Sequence, residues 1–371
     1  MRHTLRLFFV LVISASTFVG CKNSPQVTSE APPLAIRNTW SVEQANDWHE
    51  RWGWLRGANF VPSTAINQLE MWQAETFDTV TINRELGWAG RIGMNSMRVY
   101  LHHLAWEIDP EGFKKRMDRY LGIADKHGIS TLFVFFDDCW NPVYQRGKQP
   151  DPKPGIHNSG WVRDPGDLLY SDTTLFVVLE KYVKDVLTRF GDDERIVLWD
   201  LYNEPGNSGY GNKSLPLLKK VFEWAREVDP SQPLSVGVWD PALVELGEYQ
   251  LEHSDVITYH NYGDRQIHQA MIDSLRAYNR PLICTEYMAR TRNSLFKDIM
   301  PMLKEENIGA YNWGLVAGKS NTIYAWDNPM PDGKEPKIWF HDIFRKDGSP
   351  FDKSEIHLIK RLSEEELVPS K

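Results

Sequence analysis

Eight short apolar, β-favouring runs, helix-period segments between them, and a polar or aromatic residue ending nearly every run predict an α/β fold. The form predicted is a single (β/α)8 TIM barrel with long βα loops. The runs are residues 55–60, 96–101, 131–136, 196–202, 234–238, 256–259, 282–286 and 309–313. They are apolar almost throughout rather than alternating, as expected of strands covered on both faces. A strand followed by a helix or a long loop, eight times over, implies parallel pairing and closure into a barrel. The alternative is an open doubly wound sheet. That fold wants a glycine-rich phosphate turn after its first strand, and Gly57-Ala-Asn-Phe60 is not one.

Each connecting helix has its own signal. Ser41, with Gln44 three residues on, makes a capping box that opens a short helix running to about Trp48. In 175–190, Leu175, Val178, Leu179, Tyr182, Val183, Val186, Leu187 and Phe190 recur at three- and four-residue steps. Segments 111–127, 215–228, 267–278 and 295–306 behave alike, and 354–362 predicts a closing helix. Three stretches predict walls around the barrel mouth. The first is the long 141–172 segment, with Tyr144, His157 and Trp161; the others are 67–72 and 317–332, the latter with Trp326. Trp52, Trp88 and Trp224 are expected to pack helices onto strands.

The 371 residues are 42% hydrophobic, enough for one large core, and no internal repeat or domain boundary interrupts 40–365. The N-terminus reads as a targeting segment. Arg2 and Arg6 precede an apolar stretch from Leu7 to Val19, too short for a stable span, and Gly20 then stands before Cys21. That pattern resembles a bacterial lipoprotein signal, with Cys21 as the lipidated residue. The alternative is a plain secretory signal. The expected organisation is therefore a signal peptide over 1–20, a flexible tether over 21–39 and the barrel over 40–371. The expected location is the bacterial cell envelope, with membrane contact through the lipid only.

The formal charge is −8, and removal of Arg2 and Arg6 takes it to about −10. An acidic body argues against nucleic acid as a partner and is compatible with a neutral polysaccharide. Cys139 and Cys284 end strands on opposite sides of the predicted barrel, so no disulfide is expected between them. The oligomeric state is left open.

In a barrel of this kind, reactive residues gather at the C-terminal ends of the strands. There the sequence puts Asn59, Arg98, His102-His103, Asp137-Asp138-Cys139-Trp140, Asn203-Glu204, Trp239-Asp240, His260-Asn261-Tyr262, Glu286 and Trp313. Glu204 and Glu286 stand out. Two carboxylates delivered to one mouth by separate strands are the equipment for cleaving a glycosidic bond. One must be ionised while the other holds a proton, so their surroundings must differ, and Arg98 is available to hold one ionised.

Asn203-Glu204-Pro205, His260-x-Tyr262, Glu286 and Trp313, in that order, resemble the retaining (β/α)8 glycosidases of the clan containing glycoside hydrolase family 5. The resemblance covers roughly 54–345. It implies a β-glycan substrate, oligo- or polysaccharide, of the glucan, xylan or mannan class. It also implies residue roles: Glu204 as acid/base, Glu286 as nucleophile, Asn203 on the sugar 2-hydroxyl, Arg98 and Tyr262 on Glu286, His260 beside Glu204, and Trp313 beneath the sugar. Many relatives carry a histidine after strand three, where this chain has Asp137, Asp138 and Cys139. His102 or His103 is the candidate to replace it, with Asp138 and Trp140 as further candidate sugar contacts.

No cofactor is expected. His102 and His103 are adjacent, so on a strand they would point to opposite faces, poor geometry for one metal ion. A non-catalytic glycan-binding lipoprotein on the same scaffold is the alternative function.

Overall fold

The computed structural model describes residues 37–172 and 174–365. The predicted signal peptide, Cys21 and most of the predicted tether lie outside the described residues. The chain runs α1 (Val42–Trp52), β1 (Arg56–Asn59), α2 (Gln68–Trp72), α3 (Thr79–Arg91), β2 (Ser96–Tyr100), α4 (His103–Ile108), α5 (Pro110–Lys126) and β3 (Ser130–Asp137). It continues with α6 (Leu175–Phe190), β4 (Ile196–Asn203), α7 (Leu215–Val228), β5 (Leu234–Ser235), α8 (Val244–His253) and β6 (Ile257–His260). It ends with α9 (Arg265–Leu275), β7 (Leu282–Tyr287), α10 (Phe296–Glu305), β8 (Gly309–Trp313) and α11 (Lys353–Glu364).

The eight strands are parallel, in the order β5-β4-β3-β2-β1-β8-β7-β6. The two ends of that sheet meet beyond the short β5. Val238 bridges to Tyr259, with Val238 N donating to Thr258 O at 3.0 Å and His260 N to Val238 O at 3.0 Å. The predicted barrel is therefore the observed one, and every predicted strand is present.

Helices α6 and α7 span the predicted residues, because their apolar stripes are unbroken. The Ser41–Gln44 capping box forms as expected, and α1 runs on from Trp48 to Trp52 before Gly53, at φ 63°, ends it. This helix closes the N-terminal end of the barrel. Trp48 Nε1 donates to Val197 O at 3.2 Å, and its ring joins the interior cluster of Leu132, Leu198, Ile283 and Tyr311. The body also begins earlier than Trp40. Arg37 donates to Pro230 O at 2.6 Å and pairs with the buried Asp255.

Three expectations need correction. Helices α2, α3, α4 and α8 fall where no helix was predicted. In α3 the β-branched Thr79, Val80 and Thr81 and two glycines dilute the helical pattern, while the Asp78 side chain caps the helix by accepting from Val80 N and Thr81 N. Segment 67–72 is not a cleft wall. Trp72 is wholly buried, donates to Tyr100 O at 2.7 Å and packs on Phe77, Phe113 and Tyr120. Finally, His102 and His103 do not face opposite ways. The strand ends at Tyr100, His102 caps α4 and His103 opens it, so the two rings stack at 5.2 Å.

Candidate active site

The chain leaves β4 through Asn203 into Glu204, whose φ of 44° lies in the left-handed region that a glutamate rarely adopts. That turn swings the carboxylate into the barrel mouth instead of letting the strand continue. Such a conformation costs on the order of 1–3 kcal/mol and persists only where the surroundings impose it. Glu286 sits near the end of β7. The ladders on both sides of it slip, between Tyr259 and His260 toward β6 and between Cys284 and Tyr287 toward β8. Bulges of this kind re-aim a side chain.

The two carboxylates converge. His260 Nδ1 is 2.7 Å from Glu204 Oε1 and 3.6 Å from Glu286 Oε2. One oxygen of each glutamate and a nitrogen of His260 all lie within 4.8 Å of one another. Both residues face a cavity of about 440 Å³, walled by Trp140, Trp161, Trp239, Trp313 and Trp326. Aromatic planes of this kind suit the apolar C–H faces of sugar rings.

The partners of the two carboxylates differ in kind. Glu286 Oε1 accepts from Arg98 Nη1 at 2.7 Å and from the Tyr100 hydroxyl at 2.8 Å, and its Oε2 accepts from the Tyr262 hydroxyl at 2.8 Å. Arg98 is fully buried. It also donates to Asp200 Oδ2 (2.7 Å), Asn59 Oδ1 (2.8 Å) and Asn203 Oδ1 (2.7 Å). Burial works against its charge, but Tyr100, Asp200 and Glu286 hold its pKa well above the ordinary value. Burial, reinforced by the Glu286 charge, pushes the Tyr262 hydroxyl up, so it stays a donor.

Glu204 has no guanidinium. Its partners are His260 Nδ1 on Oε1, with the Cys139 thiol (3.2 Å) and the Asn207 amide on Oε2. Burial favours its neutral form, yet these hydrogen bonds and the His260 charge pull its pKa below the usual value. Burial, with the Asp137 and Glu204 charges, keeps the Cys139 thiol protonated. His260 Nε2 has no partner among the described residues.

Asn203 is oriented from both ends, its Oδ1 held by Arg98 and its Nδ2 donating to Asp137 Oδ1 at 2.8 Å. Burial pushes Asp137 up to about 7. The Trp313 ring meets Tyr100 and Trp161 edge-on, at 5.8 and 5.7 Å between centroids.

Of the sequence candidates, Glu204, Glu286, Asn203, Tyr262, Trp313 and Trp140 line the cavity. Arg98 and His260 lie just behind it, against the carboxylates. Asp138 and His103 do not reach it. Asp138 is closed off by Tyr202 (2.7 Å), Ser214 and the Gly206 amide (2.8 Å), and His103 by Asp164 and Tyr144 (3.2 Å). Neither is among the residues lining the cavity. Tyr144 likewise serves His103 rather than the cavity.

Sequence reasoning missed Tyr100 and Asp200. Tyr100 lies two residues from Arg98 on one strand, so the period of two already put both on the inner face. Asp200 is an acid in the middle of an apolar strand, which signals a buried cation nearby. Asn158 and His341 also line the cavity, from irregular loops whose course no local pattern reveals.

Among the described residues, two triads have the spacing of metal ligands: Glu204 with His260 and Glu286, and His102 with His103 and Asp164. In the first, the Arg98 guanidinium already occupies the Glu286 carboxylate. In the second, the nitrogens are committed to Leu104 N (3.2 Å), Arg163 O (3.2 Å), Asp164 and Tyr144.

The family model described as cellulase (glycosyl hydrolase family 5) matches residues 93–319. No curated protein matches the chain in sequence. Among solved structures, the exo-beta-1,4-mannosidase Op5Man5 from Opitutaceae bacterium strain TAV5 superposes with a TM-score of 0.60 at 16% identity. That alignment covers 83% of this chain but only 59% of the mannosidase's length. GH5_18 from Streptomyces cattleya, in complex with GlcNAc, gives 0.59 at 12% identity, covering 86% and 82% of the two chains. The endo-beta-1,4-mannanase from Thermotoga petrophila gives 0.52 at 16%, covering 82% and 76%. At these identities the structural likeness is one of fold. With the family model matching more than half its length, the chain belongs to glycosyl hydrolase family 5 and is a glycoside hydrolase.

Proposed function

We propose that the enzyme cleaves β-linked glycans with retention of configuration, Glu286 serving as nucleophile and Glu204 as acid/base. The observation that carries this reading is the unequal pairing of two carboxylates whose nearest oxygens are within 4.8 Å. Retaining enzymes hold their carboxyls about 5–5.5 Å apart, whereas inverting enzymes leave ~6.5–9.5 Å for a water. Arg98, permanently charged, donates to Glu286 Oε1 at 2.7 Å. Glu204 has no guanidinium partner, and the acid/base role is assigned to it on that difference. With the site open, Glu204 leans toward its ionised form. A bound sugar excludes water from it and favours the proton the first step requires.

In that step the Glu286 oxygen attacks the anomeric carbon, the bond to the leaving oxygen breaks, and the Glu204 proton passes to that oxygen. Water then attacks the glycosyl ester, giving its proton to Glu204 and releasing Glu286. Asn203, oriented by Arg98 and Asp137, is placed for the sugar 2-hydroxyl, and Trp313 for the ring face. Glucan, xylan and mannan are the substrate classes; the β-1,4-mannoside activities named for two fold neighbours support including mannan.

Proton NMR of the first-formed product tests the stereochemistry; an α-configured sugar from a β-glycoside would overturn retention. A 2-deoxy-2-fluoro aryl glycoside is expected to label the peptide bearing Glu286. Azide is expected to restore turnover of an activated aryl glycoside by Glu204→Ala, after a loss of about 10²–10⁴ on natural linkages.

The N-terminal pattern supports lipid on Cys21 and a place in the bacterial cell envelope, with 1–20 removed as a signal peptide. Loss of membrane association in Cys21→Ala, with activity retained, is the expected result.

A further inference from the structure

We infer that the enzyme works from the chain end, admitting one non-reducing terminal sugar and releasing it as a monosaccharide. This rests on the roles proposed for Glu204 and Glu286. The acid/base touches the leaving oxygen, so the leaving part of the substrate extends outward past Glu204. The sugar attacked by Glu286 lies over Trp313. Any further sugars on its non-reducing side would have to continue beyond Trp313, over β1 and β2, which follow β8 in the barrel order.

That sector is closed. The loop after β3 and the loop after β8 reach toward each other across it and are joined by backbone and side-chain bonds. Asn158 N donates to Ser320 O at 2.9 Å and Met330 N to Gly155 O at 2.9 Å. Asn321 Nδ2 donates to Lys153 O at 2.8 Å, and His157 Nδ1 to Tyr324 O at 2.8 Å. The join admits no bulk, since a Cβ on Gly155 would stand 1.6 Å from Met330 O. The β8 loop is also tied to the segment after β1, through Lys319 N to Ser63 O (3.1 Å) and Lys319 Nζ to Glu70 (2.5 Å).

Behind Trp313, framed by Phe60, Tyr100, Trp161 and Asn158, the remaining space is about 20 Å³. The main cavity offers about 440 Å³ by the same measure, so this remnant is no second sugar site. On the β6–β7 side Trp326 closes down on Tyr262, ring centroids 5.0 Å apart. The mouth is left open above β4 and β5, where Asn207, Ser208 and Trp239 line it. The flanking Trp140 is 37% exposed there, a platform for the leaving chain.

The test uses the wild-type enzyme and β-1,4-linked manno-, gluco- and xylo-pentaoses, each fluorescently labelled at the reducing end. Chromatography of the earliest products is expected to show the label on the tetramer, with unlabelled monosaccharide in equal amount. Capping the non-reducing 4-hydroxyl is expected to abolish cleavage. Early labelled dimer or trimer, or cleavage of the capped chain, would overturn chain-end action while leaving the hydrolase reading intact. Failure to cleave any pentaose or any aryl β-glycoside would overturn the hydrolase reading, and chain-end action with it.

Discussion

Arg98 Nη1 lies 2.7 Å from Glu286 Oε1, and the same guanidinium lies 2.7 Å from Asp200 Oδ2 with no access to solvent. One cation therefore serves two buried anions, one of which faces the substrate cavity. Removing the cation strands both.

Arg98→Met is accordingly expected to destabilise the fold by about 3–5 kcal/mol, the usual result of breaking a buried ion pair from one side. Adding Asp200→Asn removes one of the stranded charges. The double variant is expected to recover part of the stability but none of the activity, because Glu286 still lacks its cation. Thermal unfolding and aryl-glycoside kinetics on the three variants check this; independent, additive effects would contradict it.

His260 contributes most among the groups holding Glu204 below its usual pKa against burial. Without it, the burial that favours the neutral form has less to oppose it. In His260→Ala the basic limb of the pH profile of kcat/KM is therefore expected to move to higher pH, with a lower maximum. An unmoved limb would show that Glu204 is not the group titrating there.

Asp138 accepts from Tyr202, Ser214 and the Gly206 amide, with burial pushing it up to about 6. It ties the end of β3 to the turn that carries Glu204, without facing the cavity. Asp138→Ala leaves three buried donors unpaired and is expected to cost on the order of 2 kcal/mol or more. KM for a small glycoside is expected to change far less than Tm falls.

Burial lowers His157 to about 4. An unfolded histidine takes up its proton near pH ~6.5, while the folded one waits until about 4, so the unfolded state binds more protons in between. This residue therefore subtracts stability as pH falls from about 6.5 toward 4, by on the order of 3 kcal/mol in all. Asp137 and Asp342, raised to about 7 by burial, act in the opposite sense over the same range, so a comparison with a variant is needed to isolate the effect. His157→Gln is expected to lose stability less steeply than wild type between pH 6.5 and 4.5 in denaturant titrations.

The barrel was legible because buried parallel strands are apolar on both faces and stand out against amphipathic helices. Helices α6 and α7 were legible to the residue, whereas α3, with β-branched residues in its first turn, was not. Glu204 and Glu286 were legible because an acid ending an apolar run is anomalous. Asp138 shares that anomaly but is enclosed by Tyr202, Ser214 and the Gly206 amide; strand-end position does not say which way a side chain turns once the chain bends. His102-His103 was misread because alternation was assumed to continue past Tyr100, where the strand had stopped. The joining of the two loops, in which the Asn321 side chain donates to Lys153 O and Ile156 O, 168 and 165 residues away, left no local trace at all.

A chamber with a single doorway imposes an order of departure. The shortened polymer is expelled in the first displacement and must clear the exit before water can reach the glycosyl ester. Each catalytic cycle thus ends with release of the sugar after the polymer has already gone, and the next begins with a fresh encounter. Successive cuts are dealt out among many molecules rather than run along one.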